Sequence, residues 1–277
     1  MKITAPLKKF LRFHSPLIFK IGRATKHFPA RAARFLTPPS LKKYGEPFHG
    51  DKKWQALVEV FKNLPLTSCV ETGTFLGDTT LYLSKIFPAL SIYTIELSRE
   101  YYRESARRFL SSKNIVLLKD SSPKALHKLI QTSCLGNFPL VFLDAHWYDY
   151  WPILDELNEL QSLPRAVIMI DDFEVPGKPW FEYDIYYEGK KILKNDLSFI
   201  EPTLNDNYHI LFPAYPPSAA GSTSPLLRGY IVLAKNLSEK DWGKLVNLCN
   251  PLGYQEFDLK THQYSLPSIT PLNLKTF

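Results

Sequence analysis

Hydrophobic and polar positions along this chain repeat at two periods, and each change of period marks an element. From about Asp51 to Lys62, Trp54, Leu57, Val58 and Phe61 recur at helical spacing and predict a first helix. Beyond it, short apolar runs and amphipathic stretches follow one another in turn. "SCVET", "SIYTIEL", "NIVLLKD", "PLVFLDA" and "RAVIMIDD" read as strands. "GDTTLYLSKIF", "SREYYRESARRFLSS", "SPKALHKLIQT" and "WPILDELNELQSL" read as the helices between them, with Ser98 placed to cap the second. Such alternation predicts an α/β fold, a doubly wound and mostly parallel sheet covered on both faces, which is why its strands are nearly continuous apolar runs. The pattern then loosens. A helix near Lys190 to Leu204 is expected, followed by the strand "YHILFPA", the loop "YPPSAAGSTSPLL" and the strand "RGYIVLAK". The helix "SEKDWGKLVNLCN" and a proline-containing tail close the chain.

In an open sheet of this kind ligands bind beyond the carboxyl ends of the strands, where the strand order reverses. The residues at those ends are Glu71 with Gly73, then Glu96, Asp120, Asp144, and Asp171 with Asp172, so each of the five strands ends on a carboxylate. In "ETGTFLGDTT", Gly73 and Gly77 permit a tight turn against a helix N-terminus, but the G-x-G-x-x-G dinucleotide fingerprint is absent. Glu96 can accept both hydroxyls of a ribose, or simply place negative charge at the start of the next helix. Asp120 and Ser121 can meet an adenine edge, or cap the helix that follows.

Composition and charge narrow the classes. The 277 residues are 45% hydrophobic and 22% charged, as in an ordinary globular protein. Cys69, Cys134 and Cys249 are widely spaced, which predicts neither a disulfide framework nor a zinc site and points to a reducing, cytoplasmic setting. The net charge of +7 is local. Residues 1–45 hold eleven Lys and Arg and no acid, leaving 23 basic against 27 acidic residues over 46–277. A mildly acidic body predicts no nucleic-acid partner. The division expected is therefore a basic extension, 1–45, and one domain, 46–277. The extension interleaves basic residues with Phe, Leu and Ile, so it reads as a peripheral anchor on the inner face of a membrane, as an extension packed on the body, or as a targeting peptide.

Taken in order, "VETGTFLGDTT", Glu96, "FLDAHW" and "IDDF" resemble the class I S-adenosylmethionine-dependent methyltransferases over roughly residues 51–236. They are most similar to the small-molecule and sugar O-methyltransferases related to catechol O-methyltransferase. The resemblance implies a seven-stranded sheet whose last strand is antiparallel. It also implies O-methylation of a hydroxylated small molecule or glycan. For the cofactor it implies contacts from Glu71, Gly73, Thr74, Phe75, Gly77 and Thr79 in the first motif, from Glu96, Asp120 and Ser121 in the next two, and from Asp144, His146 and Trp147 in the fourth.

In this fold the fourth and fifth strands are neighbours, about 4.8 Å apart, which brings Asp144 beside Asp171 and Asp172. Three carboxylates together call for a shared proton or a cation. The resemblance implies Mg2+ on Asp144, Asp171 and Asp172. Two departures stand out: Trp147 replaces the family's basic lysine, and Ala145 is an extra residue. His146 is the replacement base by this reading, with Asp144 beside it, or else a wall of the adenine pocket. The acceptor is expected over "FEVPGKPWFEYDIYY" and "YPPSAAGSTSPLLR", where Trp180, Tyr183, Tyr186 and Tyr187 supply rings for stacking, for lid packing or for an oligomer contact. The competing readings are a nicotinamide-dependent oxidoreductase and a non-catalytic binding module on the same fold.

Overall fold

A computed structural model describes residues 44–145, 150–188, 191–204, 207–222 and 226–265. Most of the basic extension, His146 and Trp147 lie outside these residues. The chain divides into two compact units. The smaller comprises 1–44 and 185–193; among its described residues, β7 (Ile185–Glu188) pairs with β8 (Lys191–Lys194). The larger, 45–184 and 194–277, carries every other element described below.

Strands β1 (Ser68–Thr72), β2 (Ser91–Ile95), β3 (Ile115–Leu118), β4 (Leu140–Leu143) and β5 (Ala166–Asp171) are the five expected from the pattern, and all their mutual pairings are parallel. Every residue of β1, β4 and β5 is buried; for β4 and β5 that is the condition their apolar runs predict, whereas β1 also buries the polar Ser68, Glu71 and Thr72. Between them lie α1 (Lys52–Val60, before β1), α2 (Asp78–Ile86), α3 (Arg99–Arg108), α4 (Ser122–Gln131) and α5 (Ile153–Leu160). Ser98 does cap α3, its hydroxyl accepting from Tyr101 N at 3.4 Å.

The central sheet has nine strands rather than seven, in the order β13-β12-β9-β11-β5-β4-β1-β2-β3. The seven from β9 to β3 are as expected: β9 (Tyr208–Pro213) and β11 (Tyr230–Lys235) follow β5 in the chain, with β11 antiparallel to both neighbours. The two extra strands, β12 (Tyr254–Asp258) and β13 (Gln263–Tyr264), come from what the sequence suggested was tail. They follow α7 (Glu239–Cys249), and Tyr254 and Phe257, three residues apart, are buried on opposite faces of β12. The helix expected near Lys190 to Leu204 is also corrected. Its first part is β8, and only its second part is helical: α6 (Leu197–Ile200), begun by the Asp196 side chain accepting from Phe199 N at 3.1 Å, and a 3-10 turn over Glu201–Thr203. Asn195 separates the two, because both its backbone groups are engaged elsewhere, with Asp184 and Glu174. A short parallel pair, β6 (Phe181–Glu182) with β10 (Leu227–Arg228), joins the two segments expected to bound the acceptor.

The core under the site is aromatic. Trp54 of α1 is fully buried, stacks on Tyr230 of β11 at 3.6 Å, and donates Nε1–H to Met169 Sδ at 3.4 Å. A chain of hydroxyls runs beside it: Tyr215 donates to Asp51 Oδ2 at 2.8 Å, Tyr215 meets Tyr230 at 2.7 Å, and Tyr230 meets Tyr254. Asp51 Oδ1 meanwhile caps α1 through Lys53 N and Trp54 N. The start of α1 is thereby fixed to the sheet. No helix among the described residues is long and apolar enough to cross a membrane, and the three cysteines are free thiols.

Candidate functional site

The sheet order reverses between β1 and β4, and the loops leaving these strands meet there. Gly73 follows β1 with φ +87°, and a Cβ on it would stand 2.4 Å from the carbonyl oxygen of Asp144, just past β4. Only glycine permits both the turn and that approach. Asp144 N in return donates to Thr72 O at 3.0 Å. Gly77, with φ +79°, starts α2 with no room for a Cβ against the ring of Phe109.

The glycine loop is gripped from below and from the side. Thr74 is buried, its hydroxyl 2.6 Å from that of Thr94. Phe75 has φ +49°; its N–H donates to Glu96 Oε2 at 2.8 Å, and its carbonyl accepts from Ser105 Oγ at 2.7 Å. Its ring is half exposed, 4.6 Å from that of Tyr101. The other Glu96 oxygen accepts from Ser98 N at 2.6 Å. Glu96 therefore spans the gap between the first two strand ends, with burial pushing its carboxyl above the usual range against these backbone donors.

Glu71 lies beneath this edge rather than on it. It is fully buried and accepts from the hydroxyl of Thr80 and from that of Thr94 at 2.6 Å. Burial pushes its carboxyl up to about 7 despite the two donors. The unfolded chain thus holds fewer protons than the native one between about pH 4.5 and 7, and stability falls as pH rises through that window. Glu71→Gln removes the buried charge and should raise the melting temperature relative to the parent at pH 8, with the difference vanishing near pH 4.5. Thermal unfolding at the two pH values checks this, and a constant difference would contradict it.

Thr79 accepts from Phe48 N at 3.5 Å, so it faces the segment before α1. Asp120 pairs with Lys128 at 2.8 Å and Lys124 at 3.7 Å, both on α4, and the Lys128 bond holds its carboxyl below the usual range. Ser121 stands at the N-cap of α4 without using its hydroxyl there. Of this pair, it is Asp120 that the helix occupies.

At the other end of the site, β4 and β5 run in register with Leu143 opposite Ile170, so Asp144 falls opposite Asp171 one step beyond the ladder. Asp171 is fully buried. Its Oδ1 accepts from Asp172 N at 2.7 Å and its Oδ2 meets His49 Nε2 at 2.8 Å. Asp172 takes a left-handed turn, φ +51°, and its Oδ1 lies 3.0 Å from the Arg228 guanidinium, which also reaches Asp184 at 3.5 Å. Asn195, also fully buried, donates Nδ2–H to the carbonyls of Asp171 and Asp172 at 2.8 and 3.1 Å and so holds the turn.

The expected cluster is therefore redrawn. One ligand atom each from His49, Asp171 and Asp172 lie within 4.8 Å of one another, and Asp144 is not in that group. Asp144 acts on it through its charge. Asp171, foremost, raises the His49 imidazole from 6.5 to about 9 against partial burial, and Asp144 and Asp172 add to the rise.

Three residues of this end escaped the sequence reading. His49 comes from "PFHGD" ahead of α1, where Phe48 and His49 both take positive φ, 50° and 54°. Its signal was a histidine flanked by proline, glycine and a helix-capping aspartate. Arg228 precedes β11. Because β11 is antiparallel, its start lies at the edge where the parallel strands end, a rule that strand ends alone do not reveal. Asn195 carries no signal in sequence. A cavity of about 530 Å³ lies at the opposite edge, near the strand starts, lined in part by Leu64, Phe138, Arg165 and Leu245; it contains none of the residues read from sequence.

No protein-family model matches the chain. Catechol O-methyltransferase B of Danio rerio is 28% identical over 142 residues, covering 48% of this chain; the match spans about half, 53%, of that relative. Among solved structures, the chain is similar to the O-methyltransferase TomG from Streptomyces achromogenes, involved in tomaymycin synthesis and solved with S-adenosylmethionine. The two are 17% identical over 74% of this chain and 86% of that one, at a TM-score of 0.46. A putative O-methyltransferase from Klebsiella pneumoniae is 15% identical over 84% and 96% of the two chains, at 0.43. The sequence match, joined to the strand order and the glycine loop seen here, supports the class expected from the motifs: class I S-adenosylmethionine-dependent O-methyltransferases.

Proposed function

We propose that this chain is a class I S-adenosylmethionine-dependent O-methyltransferase acting on a hydroxylated small molecule or glycan, with a divalent ion at the acidic end of its site. The observation that carries the reading is the meeting of the glycine loop with the acidic strand ends, at the close approach of Gly73 to Asp144. A cofactor placed by the loop would present its methyl group toward Asp171 and Asp172.

The roles of the described residues follow from their positions, and those of His146 and Trp147 from the motif they belong to. Glu96, held by two backbone N–H groups, keeps both oxygens oriented for the ribose hydroxyls. Thr74 and Phe75 shape the loop around the methionine end, with Glu71 supporting it from below. Ser121 and Trp147 would face the adenine. The residues fit a small cation: three donor atoms within 4.8 Å of one another, beside the charge of Asp144. His49, Asp171 and Asp172 would hold it, and it would polarise the acceptor hydroxyl. The sulfonium methyl is already activated, so the chain's own task is in-line positioning of the acceptor oxygen and removal of its proton. His146 would take that proton. The acceptor would lie against the β6–β10 pair, where Leu227 N bonds Trp180 O at 2.9 Å and Trp180 Nε1–H donates to Tyr215 O at 2.9 Å.

S-adenosylhomocysteine at about 100 times its Kd should raise the melting temperature by roughly 5–10 °C, and NAD should leave it unchanged. Glu96→Gln should remove most of that rise, since an amide offers one acceptor where a diol needs two. A shift with NAD instead would favour the oxidoreductase. Methyl transfer to a panel of catechols, glycosides and glycans, with and without divalent ions, then identifies the acceptor class.

A further inference from the structure

The mixed chemistry of the acidic end goes further than a carboxylate site for Mg2+. We infer that His49, Asp171 and Asp172 form a nitrogen–oxygen site for a first-row transition ion of the Mn2+ to Co2+ class, and that His49 selects such an ion over Mg2+. This inference rests on the metal-assisted reading above and specifies its ion.

His49 is not placed there by core packing. Its side chain remains 47% exposed, yet Nε2 sits 2.8 Å from Asp171 Oδ2, close to the edge of about 3 Å that two neighbouring ligands make around one small octahedral ion. Its backbone is tightly specified on both sides. Phe48 is buried against Trp54 and Phe142, with ring centroids 5.0 and 5.3 Å away, and Asp51 N donates to Phe48 O at 2.9 Å. Asp51 is itself fixed by Tyr215 and by its cap on α1. The imidazole is thus delivered by a rigid turn to a pair of carboxylates whose own turn is locked by Asn195.

An ordinary ion pair between His49 and Asp171 would account for one carboxylate. Charge interactions link His49 or Arg228 with Asp144, Asp171, Asp172 and Asp184. Arg228 offsets one of these negative charges and leaves the rest for a dication, to which a neutral His49 can give Nε2. Carboxylates and water suit Mg2+, whereas an imidazole donor favours later first-row ions, so the nitrogen decides the class.

The test uses the full chain stripped with EDTA, titrated with Mn2+, Co2+ and Mg2+ by calorimetry, and examined by pulsed electron paramagnetic resonance with Mn2+ bound. The expected spectrum shows coupling to a 14N nucleus. In His49→Gln, which retains an oxygen donor, that coupling should disappear, and the preference for Mn2+ over Mg2+ should fall about tenfold or more. The melting temperature and the shift with S-adenosylhomocysteine report whether this variant folds. Lack of nitrogen coupling in the parent protein overturns the inference without any variant. So does an unchanged Mn2+ preference in folded His49→Gln; both results leave a metal-assisted enzyme intact. If no ion binds while S-adenosylhomocysteine still stabilises the protein, the metal falls altogether and the methyltransferase reading stands.

Discussion

Replacing Gly73 by alanine should cost about 3–5 kcal/mol and lower the melting temperature by roughly 10 °C, with loss of cofactor binding in whatever folds. The new Cβ would stand 2.4 Å from Asp144 O and 2.9 Å from Asp144 C, both backbone atoms that no rotamer change can move aside. The loop after β1 and the end of β4 would have to separate, and that separation opens the switch point where the cofactor is proposed to lie. Left-handed backbone adds its own strain at φ +87°. Gly177 is the internal control. It has φ +69° but nothing within 4 Å of its would-be Cβ, so Gly177→Ala carries the conformational cost alone, about 1 kcal/mol. Thermal unfolding of the two variants separates steric from conformational strain. Equal losses would mean that the approach to Asp144 is not what requires glycine.

How much of this was legible in the sequence depends on what each residue's signal is made of. Strands buried on both faces announce themselves as apolar runs, and β4 and β5 were readable for that reason, while β1, β2 and β3, polar or only partly buried, were readable from their alternation with helices. Parallel strands also share an end, so the positions of Glu96, Asp144, Asp171 and Asp172 at one edge followed from periodicity and one topological rule. What periodicity does not encode is depth. Glu71 and Glu96 both read as strand-end carboxylates, yet Glu71 pairs with Thr94, two residues short of Glu96, and binds two threonines beneath the sheet edge while Glu96 reaches across the glycine loop. Asp120 looked like both and is tied to its own helix by Lys128.

The cationic half of the site was hidden for a different reason. Three neighbouring carboxylates demanded a proton or a positive partner, and the family resemblance pointed to a metal. The basic partners came from far along the chain. His49 is 122 residues from Asp171, brought in by a turn whose two left-handed residues contain no glycine. Arg228 enters at the start of the antiparallel strand, a position opposite in sense to those the parallel rule singles out. Local pattern cannot report either contact, because both are set by how the ends of α1 and β11 dock on the sheet. The missed strands β12 and β13 are similar: short, half-buried and beyond a loop, they gain their identity from pairing, β12 with β9 and β13 with β12.

Asp171→Asn should lower methyl transfer by about two orders of magnitude or more while leaving the fold and the cofactor site in place. The amide fits the same volume; its oxygen can still accept from Asp172 N, and its nitrogen can donate to a neutral His49. What it removes is the charge that foremost raises the His49 pKa to about 9. Because that pKa is raised in the folded protein, the ion pair's stabilisation is fully present below pH 6.5 and is lost as pH rises through 9. The imidazole is half exposed, so solvent screening reduces the effect to the order of 1 kcal/mol, or roughly 2–4 °C in melting temperature. In EDTA-treated protein the parent should therefore lose a few degrees between pH 6.5 and 9 that Asp171→Asn does not lose. His49 ring shifts followed by NMR should titrate near 9 in the parent and close to the ordinary value in the variant. Kinetics, unfolding and titration thus read one charge in three ways. Full activity in a variant whose His49 titration has moved would show that Asp171 serves only to hold the imidazole and takes no part in methyl transfer.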